Sequence, residues 1–196
     1  MLEKIIAIDK QLLVFLNSFG SETFDPFWLI ITQKVNWIPF FLLLLFLVYK
    51  KLGTKQTLII VLFVAVLLTL NNTFTDLVKN YFQRIRPCND IDIKEIIRNV
   101  KPSQTFSFFS GHAANSSAAM IFLFLVMRKF YKNFWWIFLY PLIFAYSRIY
   151  LGLHFPTDIL TGYIVGCTLG FLTYKIYQFF QNKYFQNVTP FDVMGL

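Results

Sequence analysis

Long runs of uninterrupted apolar residues are the feature that most constrains how this chain folds. Residues 56–75 contain no charged side chain, and residues 35–49 form a second charge-free run rich in Leu and Phe. Since a helix needs about 20 such residues to cross the hydrocarbon core of a bilayer, runs of this kind are typical of membrane-spanning helices. The predicted spans are residues 35–49, 56–75 with an extension to 79, 108–127, 133–147 and 159–174.

Composition excludes the other common classes of protein. Hydrophobic residues make up 57% of the 196 residues and charged residues 14%, whereas a soluble domain carries about 25% charged residues. A chain of this size has too few charges to cover a water-facing surface and too many apolar groups to bury in one core. We therefore expect an all-α, polytopic membrane bundle of five or six transmembrane helices.

The N-terminal residues 1–33 are harder to assign. They begin with an apolar helical stripe that has charged residues on or beside it, and this pattern is typical of an interfacial amphipathic helix. The stripe consists of Ile5, Ile8, Leu12 and Leu16. Asp25 and Pro26 then begin a second short apolar segment, so these residues are interfacial or re-entrant helices, or supply a sixth span. We expect one membrane-embedded domain over residues 1–196.

Positive charge is distributed unevenly between the predicted spans. The formal net charge is +8, but the cations stand between apolar runs, so the bilayer and its anionic lipids are the expected partner and nucleic acid is not. Three loops that alternate onto one side of the membrane hold Lys50, Lys51 and Lys55; Arg128, Lys129 and Lys132; and Lys175 and Lys183. Because cytoplasmic loops are enriched in Lys and Arg, that side is expected to be the cytoplasm. Residues 80–104 and 151–156 are then expected on the opposite side.

The first of three polar clusters ends the second predicted span. Lys79 and Arg86 are seven residues apart and would share one helical face, in a helix that ends at Arg86 because Pro87 disfavours helical geometry in the residue before it. Two cations at a membrane edge suit a phosphate group, which Arg binds through two parallel hydrogen bonds. Taken alone, the cluster is equally consistent with binding of lipid headgroups.

The second cluster stands where the next span is predicted to begin. Ser110 and Gly111 would lie at a helix N-terminus, which offers free backbone N–H groups and partial positive charge to an anion. Gly111 allows an oxyanion to approach closely, and His112 would stand beside that anion as a proton donor. The alternative is a helix cap with an incidental histidine.

The third cluster precedes the last predicted span. His154 and Asp158 are four residues apart and could share a helical face, and Pro156 suits the first turn of that helix. Asp158 would accept a hydrogen bond from the N–H of one imidazole nitrogen and leave the other nitrogen free as a nucleophile, while Arg148 would supply a further cation. The alternative is a capping Asp with a structural histidine.

All three clusters fall on the same predicted side of the membrane, and they contain both histidines of the chain. A histidine nucleophile, a second histidine as acid, an orienting carboxylate and three cations together describe a site for phosphoryl transfer. The cations take the place of metal ions, and neither a metal nor another cofactor is expected. The remaining acids are scattered, and Cys88 and Cys167 lack the spacing of metal ligands.

The combination resembles the three-part signature of the type-2 phosphatidic acid phosphatase superfamily, which includes lipid phosphatases and vanadium haloperoxidases. The family pattern is K-x6-R-P, then P-S-G-H, then S-R-x5-H-x3-D, and the match covers residues 79–158. One position departs from the pattern, because Phe109 stands where the family has a proline before Ser110. The replacement bears on the rigidity of that turn and removes no catalytic group.

The resemblance implies a role for each matched residue. His154 would attack phosphorus and form a phosphohistidine, Asp158 would orient His154, and His112 would protonate the leaving oxygen. The phosphoryl oxygens would be bound by Lys79, Arg86, Ser110, Gly111 and Arg148. Family members of this kind need no metal ion.

The expected function is metal-independent hydrolysis of a phosphate monoester or diphosphate on a membrane lipid. A lipid is expected in place of a water-borne substrate, because no sizeable soluble domain is present to capture one. The resemblance ranks undecaprenyl diphosphate first, followed by phosphatidylglycerol phosphate or phosphatidic acid. A lipid phosphotransferase, a lipid A phosphatase and a non-catalytic lipid-phosphate binding or transport protein are the alternatives. The site is expected at the outer edge of the bacterial cytoplasmic (inner) membrane, facing the periplasm or exterior. The oligomeric state is left open.

Overall fold

Helices make up the regular structure of the chain. A computed structural model describes residues 2–185, and that part contains no β-strand. The α-helices are α1 Leu2–Ser18, α2 Asp25–Ile31, α3 Ile38–Phe82, α4 Gly111–Met127, α5 Leu139–Tyr150 and α6 Pro156–Tyr184. Short 3-10 turns cover Glu22–Phe24, Lys34–Trp37, Pro87–Asn89 and Phe134–Phe138. The all-α class is confirmed, while residue 1 and residues 186–196 of the predicted domain lie outside the described residues.

Helix α3 is two helices joined at a sharp break. Its 45 residues would be about 68 Å long if straight, more than twice the hydrocarbon thickness of a bilayer. Gly53 interrupts it with a φ of 71° and a ψ of 176°, a left-handed conformation that a residue without Cβ adopts at little cost. Leu44 and Val48 before the break and Ile60 after it line one cavity, so the chain turns back on itself at Gly53. The predicted helices over residues 35–49 and 56–79 are thereby confirmed as helices.

Helices α4 and α6 form the most closely packed pair. Three glycines on α6 each face a backbone carbonyl at the start of α4 or along it. A side chain in place of any of these glycines would not fit. A Cβ on Gly162 would come within 2.6 Å of the Ser110 carbonyl oxygen. A Cβ on Gly166 would overlap the Ala114 carbonyl, and a Cβ on Gly170 would overlap the Ala118 carbonyl. Small residues at a helix interface allow this close approach, which is common in membrane bundles. The contact fixes the start of α4 against the start of α6.

The predicted basic loops meet at one end of the bundle. Tyr131, after α4, donates a hydrogen bond of 3.1 Å to the Leu47 carbonyl, and the Lys51 ammonium lies 5.5 Å from the centre of the Tyr131 ring. Gln181, late in α6, donates a hydrogen bond of 2.7 Å to Gln56. The Gly53 turn, the loop after α4 and the end of α6 therefore share one end, as the alternation of basic loops predicts.

The outer surface of the bundle is apolar. Two segments are long and apolar enough to cross a membrane, Lys34–Asn89 and Pro156–Tyr184, and Gly111–Met127 is a shorter apolar helix. Leu62 and Leu70 are among many large apolar side chains that point outward from α3. Such a surface suits hydrocarbon and not water, so the chain is an integral membrane protein. The count of five or six spans stays a prediction.

The N-terminal helices pack against the loop that precedes α4. Helix α1 exposes Ile5 and Ile8 of its predicted apolar stripe and buries the neighbouring Asp9. Lys10 forms an ion pair with Asp90 at 2.8 Å, and further along Arg98 pairs with Asp25 at 2.8 Å. The loop over residues 87–106 is thus held by α1 and by the start of α2.

Candidate active site

The first cluster is built by a helix end and an extended turn. Helix α3 ends at Phe82, and Gln83 follows in a left-handed conformation with a φ of 47°. Arg86 is extended, with a φ of −72° and a ψ of 153°, as expected for a residue before proline. The prediction that Lys79 and Arg86 share a helical face is therefore wrong, because the helix stops four residues before Arg86. The turn nevertheless brings both cations close enough to His154 for their charges to act on it.

Arg86 is fixed by three hydrogen bonds. Its Nε and Nη2 donate to the carbonyl and the hydroxyl of Thr105, each at 2.8 Å, and its Nη1 donates to the Leu153 carbonyl at 2.9 Å. The same Nη1 lies 3.3 Å from Nε2 of His154. A buried guanidinium held on both edges keeps one fixed orientation, so its positive charge is aimed at the imidazole.

The second cluster forms the N-terminus of α4, as the sequence predicts. The helix begins at Gly111, and the Ser110 hydroxyl accepts a hydrogen bond of 3.4 Å from the Ala113 amide. The Ser110 amide in turn donates to the Asp158 carbonyl at 3.0 Å, which ties this end of α4 to α6. His112 lies in the first turn and stacks on Phe144, with ring centres 4.7 Å apart. Its ring plane is therefore set by an aromatic neighbour.

The third cluster places a histidine and a carboxylate in contact. Nδ1 of His154 lies 3.4 Å from Oδ2 of Asp158, and both side chains are buried, 1% and 0% exposed. His154 precedes α6, so the prediction that the two share a helical face is wrong. Contact arises because Asp158 turns back over the helix start, where its carboxylate also accepts a hydrogen bond of 3.0 Å from the Phe155 amide.

Arg148 reaches the site from the end of α5. Its Nη1 donates a hydrogen bond of 2.7 Å to the hydroxyl of Thr32, which follows α2. Its Nε is buried, and no group among residues 2–185 accepts a hydrogen bond from it. Buried donors are normally paired, so an oxyanion in the site would supply the acceptor that this guanidinium lacks.

Three cations act on His154 together. Burial lowers the pKa of His154 well below its usual value, and the positive charges of Arg86, Arg148 and Lys79 lower that pKa further. The imidazole is therefore neutral at physiological pH. With the proton on Nδ1, facing Asp158, the lone pair is on Nε2, on the side of Arg86. A neutral imidazole surrounded by cations is suited to attack an anionic phosphoryl group.

Two residues that the sequence analysis did not single out support the Asp158 carboxylate, one directly and one through the other. Arg84 forms ion pairs with Asp158 at 2.6 Å and with Asp9 of α1 at 2.7 Å. Asp9 also accepts a hydrogen bond of 2.9 Å from the Thr157 amide. Helix α1 also carries Glu3, Lys4 and Lys10, so the sequence held no signal that marked Asp9 as the partner of Arg84.

A cavity of about 440 Å³ extends from His112 into the bundle. Both halves of α3 line it together with α4 and α5, and its walls are mostly apolar side chains such as Val64, Leu68 and Met120. Lys34, Asn72 and Asn115 lie among the lining residues. The site thus joins an electropositive pocket, suited to phosphate, to an apolar cavity, suited to hydrocarbon.

Comparison with known proteins agrees with this arrangement. The model of the PAP2 superfamily matches residues 59–182. A lipid A 4'-phosphatase of Bacteroides thetaiotaomicron is 37% identical over 185 residues, which cover 90% of this chain and 80% of that protein. An undecaprenyl-diphosphatase of Sulfolobus acidocaldarius is 30% identical over 176 residues, covering 87% of this chain and 72% of that protein.

A solved structure has the same fold. The transmembrane PAP2 type phosphatidylglycerolphosphate phosphatase from Bacillus subtilis superposes with a TM-score of 0.68 at 20% identity, covering 96% of this chain and 89% of that one. The family match covers more than half of the chain and includes all three polar clusters. The chain therefore belongs to the PAP2 superfamily, as a membrane-embedded phosphoric-ester hydrolase of the lipid phosphatase type.

Proposed function

We propose that this protein removes a phosphate monoester from an acylated membrane lipid of the lipid A type, through a phosphohistidine on His154. The observation that carries the proposal is the position of the His154–Asp158 pair. It lies among three cations and adjoins a cavity lined by apolar side chains. Cations of this kind stabilise the charge on a transferring phosphoryl group without reorganising during the reaction.

The first step transfers the phosphoryl group to the protein. The Nε2 lone pair of His154 attacks phosphorus, and the bond from phosphorus to the lipid oxygen breaks. Nδ1 keeps its proton and shares it with Asp158, which stabilises the positive imidazole. His112, protonated while the phosphate dianion occupies the site, gives its proton to the departing lipid oxygen, and a lipid alcohol leaves.

The second step releases phosphate. A water molecule attacks phosphorus on the side that the lipid has left, and neutral His112 takes up the proton of that water. The bond between phosphorus and Nε2 breaks, so that His154 returns to its neutral form and inorganic phosphate departs. Lys79, Arg86 and Arg148 hold the phosphoryl oxygens in both steps.

The relatives change the order of the candidate substrates. The sequence analysis placed undecaprenyl diphosphate first and a lipid A phosphatase among the alternatives. The lipid A 4'-phosphatase is the more similar of the two relatives, at 37% identity against 30% for the undecaprenyl-diphosphatase. A lipid A-type phosphate is therefore the first candidate. Undecaprenyl diphosphate is the second, because one of the two relatives is named as an undecaprenyl-diphosphatase.

We place the site on the outer side of the bacterial cytoplasmic membrane. The basic loops meet at the opposite end of the bundle from His154, and cytoplasmic loops are the ones enriched in Lys and Arg. A single membrane-embedded domain spanning residues 1–196, with residues 79–158 as its catalytic region, is part of the same proposal.

The test is phosphate release by purified protein in detergent with EDTA present. The substrates are a lipid A preparation, undecaprenyl diphosphate, phosphatidylglycerol phosphate, phosphatidic acid and a soluble sugar phosphate. We expect release to be fastest from lipid A, and we expect His154→Ala to lower turnover at least about a thousandfold. Tyr81→Ala, which changes an exposed residue at the same end of the bundle, is the matched control and should leave turnover unchanged.

Other outcomes would contradict particular parts of the proposal. Retained activity in His154→Ala would exclude the phosphohistidine, and loss of activity in EDTA would exclude metal independence. Transfer of labelled phosphate to an added acceptor lipid, in place of water, would identify a phosphotransferase. Binding without any turnover would identify a lipid-phosphate binding protein.

A further inference from the structure

Three asparagines form a polar band within the otherwise apolar cavity. We call Asn71, Asn72 and Asn115 the asparagine band. Asn72 and Asn115 line the cavity, and Asn71 is completely buried behind them. Asn115 follows His112 by three residues on α4, so the band lies about 4.5 Å further along the helix axis than the histidine. The band therefore occupies the place where the cavity leaves the phosphate site.

The amides of the band are linked in one direction. Nδ2 of Asn71 donates to Oδ1 of Asn115 at 2.7 Å, and Nδ2 of Asn115 donates to Oδ1 of Asn72 at 2.6 Å. No group among residues 2–185 accepts a hydrogen bond from Nδ2 of Asn72, and the side chain is exposed. Amides linked in this way polarise one another. The series of hydrogen bonds therefore ends at the cavity in a strengthened donor, Nδ2 of Asn72.

Packing alone does not account for the band. An amide buried in an apolar environment is costly unless its hydrogen bonds are satisfied, and Oδ1 of Asn71 is buried without a donor among the described residues. The next residues along the cavity wall on the same two helices, Leu68 and Ala119, are apolar. None of the three amides has a part in the phosphoryl transfer described above. The band is therefore placed to meet a polar group of the lipid.

We propose that Nδ2 of Asn72, supported by Asn115, donates a hydrogen bond to an acyl carbonyl of the substrate lipid while the apolar cavity holds its hydrocarbon chain. The inference rests on the proposed function and narrows its substrate class. An acylated lipid carries an ester or amide carbonyl only a few bonds from the phosphate. A polyprenyl phosphate carries no acceptor in its chain, so this donor would be left unpaired and the lipid disfavoured.

The experiment compares two lipids that differ only in the carbonyl. Phosphatidic acid with two hexadecanoyl esters is the acyl probe, and the glycerol phosphate with two hexadecyl ethers is its matched partner. We expect the wild-type kcat/KM to be about tenfold higher for the diacyl lipid, the factor that one hydrogen bond typically contributes. We expect Asn72→Leu and Asn115→Leu to bring the ratio close to one.

A control on the same helix separates this effect from a general disturbance. The Thr73 hydroxyl is exposed on α3 and donates to its own helix at the Thr69 carbonyl, at 3.1 Å. Thr73→Val should therefore keep the wild-type ratio. Because both lipids are measured on the same preparation, a variant that is partly unfolded lowers both rates and leaves their ratio unchanged. The comparison remains valid if the Asn115→Leu variant folds poorly.

The possible outcomes distinguish this inference from the function on which it rests. Equal rates for the two glycerol lipids in the wild type would overturn the inference and leave the lipid phosphatase intact. An unchanged ratio in Asn72→Leu would also overturn it. Phosphate release from lipid A but not from the diacyl glycerol lipid would also overturn the inference, because the diacyl lipid has the carbonyl. Release from no lipid would contradict the proposed function and the inference together.

Discussion

The charges around His154, the proposed nucleophile, decide whether its imidazole is protonated. Burial and the charges of Arg86, Arg148 and Lys79 all oppose its protonation. A histidine in water has a pKa of about 6.5, so in mild acid it would be protonated and lose its nucleophilic lone pair. In this site the imidazole stays neutral as the pH falls, until the depressed pKa is reached. The positive pocket proposed to bind phosphate thus also keeps the proposed nucleophile in its neutral form.

Removing one cation should shift the acid limb of the reaction's pH dependence to higher pH. In Lys79→Met one positive charge near His154 is lost, so the imidazolium is less destabilised and the pKa of His154 rises. The acid limb of the kcat/KM profile should shift to higher pH by about one unit, the size expected for a single partly screened charge. The measurement is kcat/KM against pH for wild type and variant with one lipid.

The comparison is internally controlled, because ionisation of the substrate is the same for both proteins. Lys94→Met, which removes an exposed charge in the loop before α4, should leave the acid limb where it is. An acid limb that stays in place or moves to lower pH in Lys79→Met would contradict the arrangement of cations around His154.

Arg84 should act on catalysis through Asp158. Because it bridges Asp158 and Asp9 with ion pairs of 2.6 and 2.7 Å, Arg84→Gln should let the carboxylate shift away from His154. We expect kcat to fall about 10- to 100-fold with KM nearly unchanged, since a positioning residue affects the transition state more than substrate binding. Steady-state kinetics on the preferred lipid measure both constants.

A double variant tests whether Asp9 works through Arg84. Asp9→Asn should lower kcat less than Arg84→Gln, and combining the two should cost no more than Arg84→Gln alone, because they belong to one network. Additive losses in the double variant would show that Asp9 acts independently. An equal rise in KM would show that Arg84 binds substrate directly.

The residues that the structure brings together in the candidate site could be named from sequence, while the residues that support them could not. The spacing of His154 to Asp158 and the run from Ser110 to His112 belong to local patterns. The contact between Asp9 and Arg84 joins residues 75 positions apart, and no local pattern encodes such a pairing. Asp9 is one of two acids in α1, and nothing in its local sequence identifies its partner.

At the scale of elements, the sequence placed helices well and their ends less well. The start of α4 at Gly111 was predicted because Ser110 is a good cap. The end of α3 was predicted at Arg86, from the proline that follows, but Gln83 already leaves the helix with a positive φ. Only glycine adopts that conformation without cost, so a glutamine there gives no warning. The tertiary contacts of the turn decide where this helix ends.

Close packing of α4 against α6 should not tolerate an added methyl group. In most helices Gly→Ala is favourable by about 1 kcal/mol, but a Cβ on Gly166 would overlap the Ala114 carbonyl and the Ser117 hydroxyl. We therefore expect Gly166→Ala to destabilise the protein by about 1–3 kcal/mol, the usual cost of overpacking. Thermal unfolding in detergent gives the measurement.

The control for this prediction lies on the other face of the same helix. Ile164 points outward, so Ile164→Ala should change the midpoint of thermal unfolding far less than Gly166→Ala does. Activity should fall in Gly166→Ala as well, since the same interface holds Ser110 and Asp158 together. A midpoint at or above that of wild type would contradict the tight interface.

The whole molecule has two chemically different ends. One end collects the Gly53 turn, the loop after α4 and the end of α6, where Lys51 and Lys55 lie over aromatic rings. The other end carries the proposed phosphate site and the loop that α1 holds in place. This polarity follows from the alternation of basic loops along the chain, which is why it could be predicted from sequence. The number of spans could not, because residues 2–33 form helices too short to decide it.

Orientation in the membrane can be tested with one cysteine at each end. The native Cys88 is 4% exposed and a poor target, which lowers the background. Ile91→Cys introduces a thiol at a position that is 84% exposed near the site, and Thr54→Cys introduces one at the exposed turn after Gly53. Because the basic end should face the cytoplasm, a membrane-impermeant maleimide should label Ile91→Cys in intact cells and Thr54→Cys only after permeabilisation. The reverse pattern would place the phosphate site in the cytoplasm, and its lipid would then be taken from the inner leaflet.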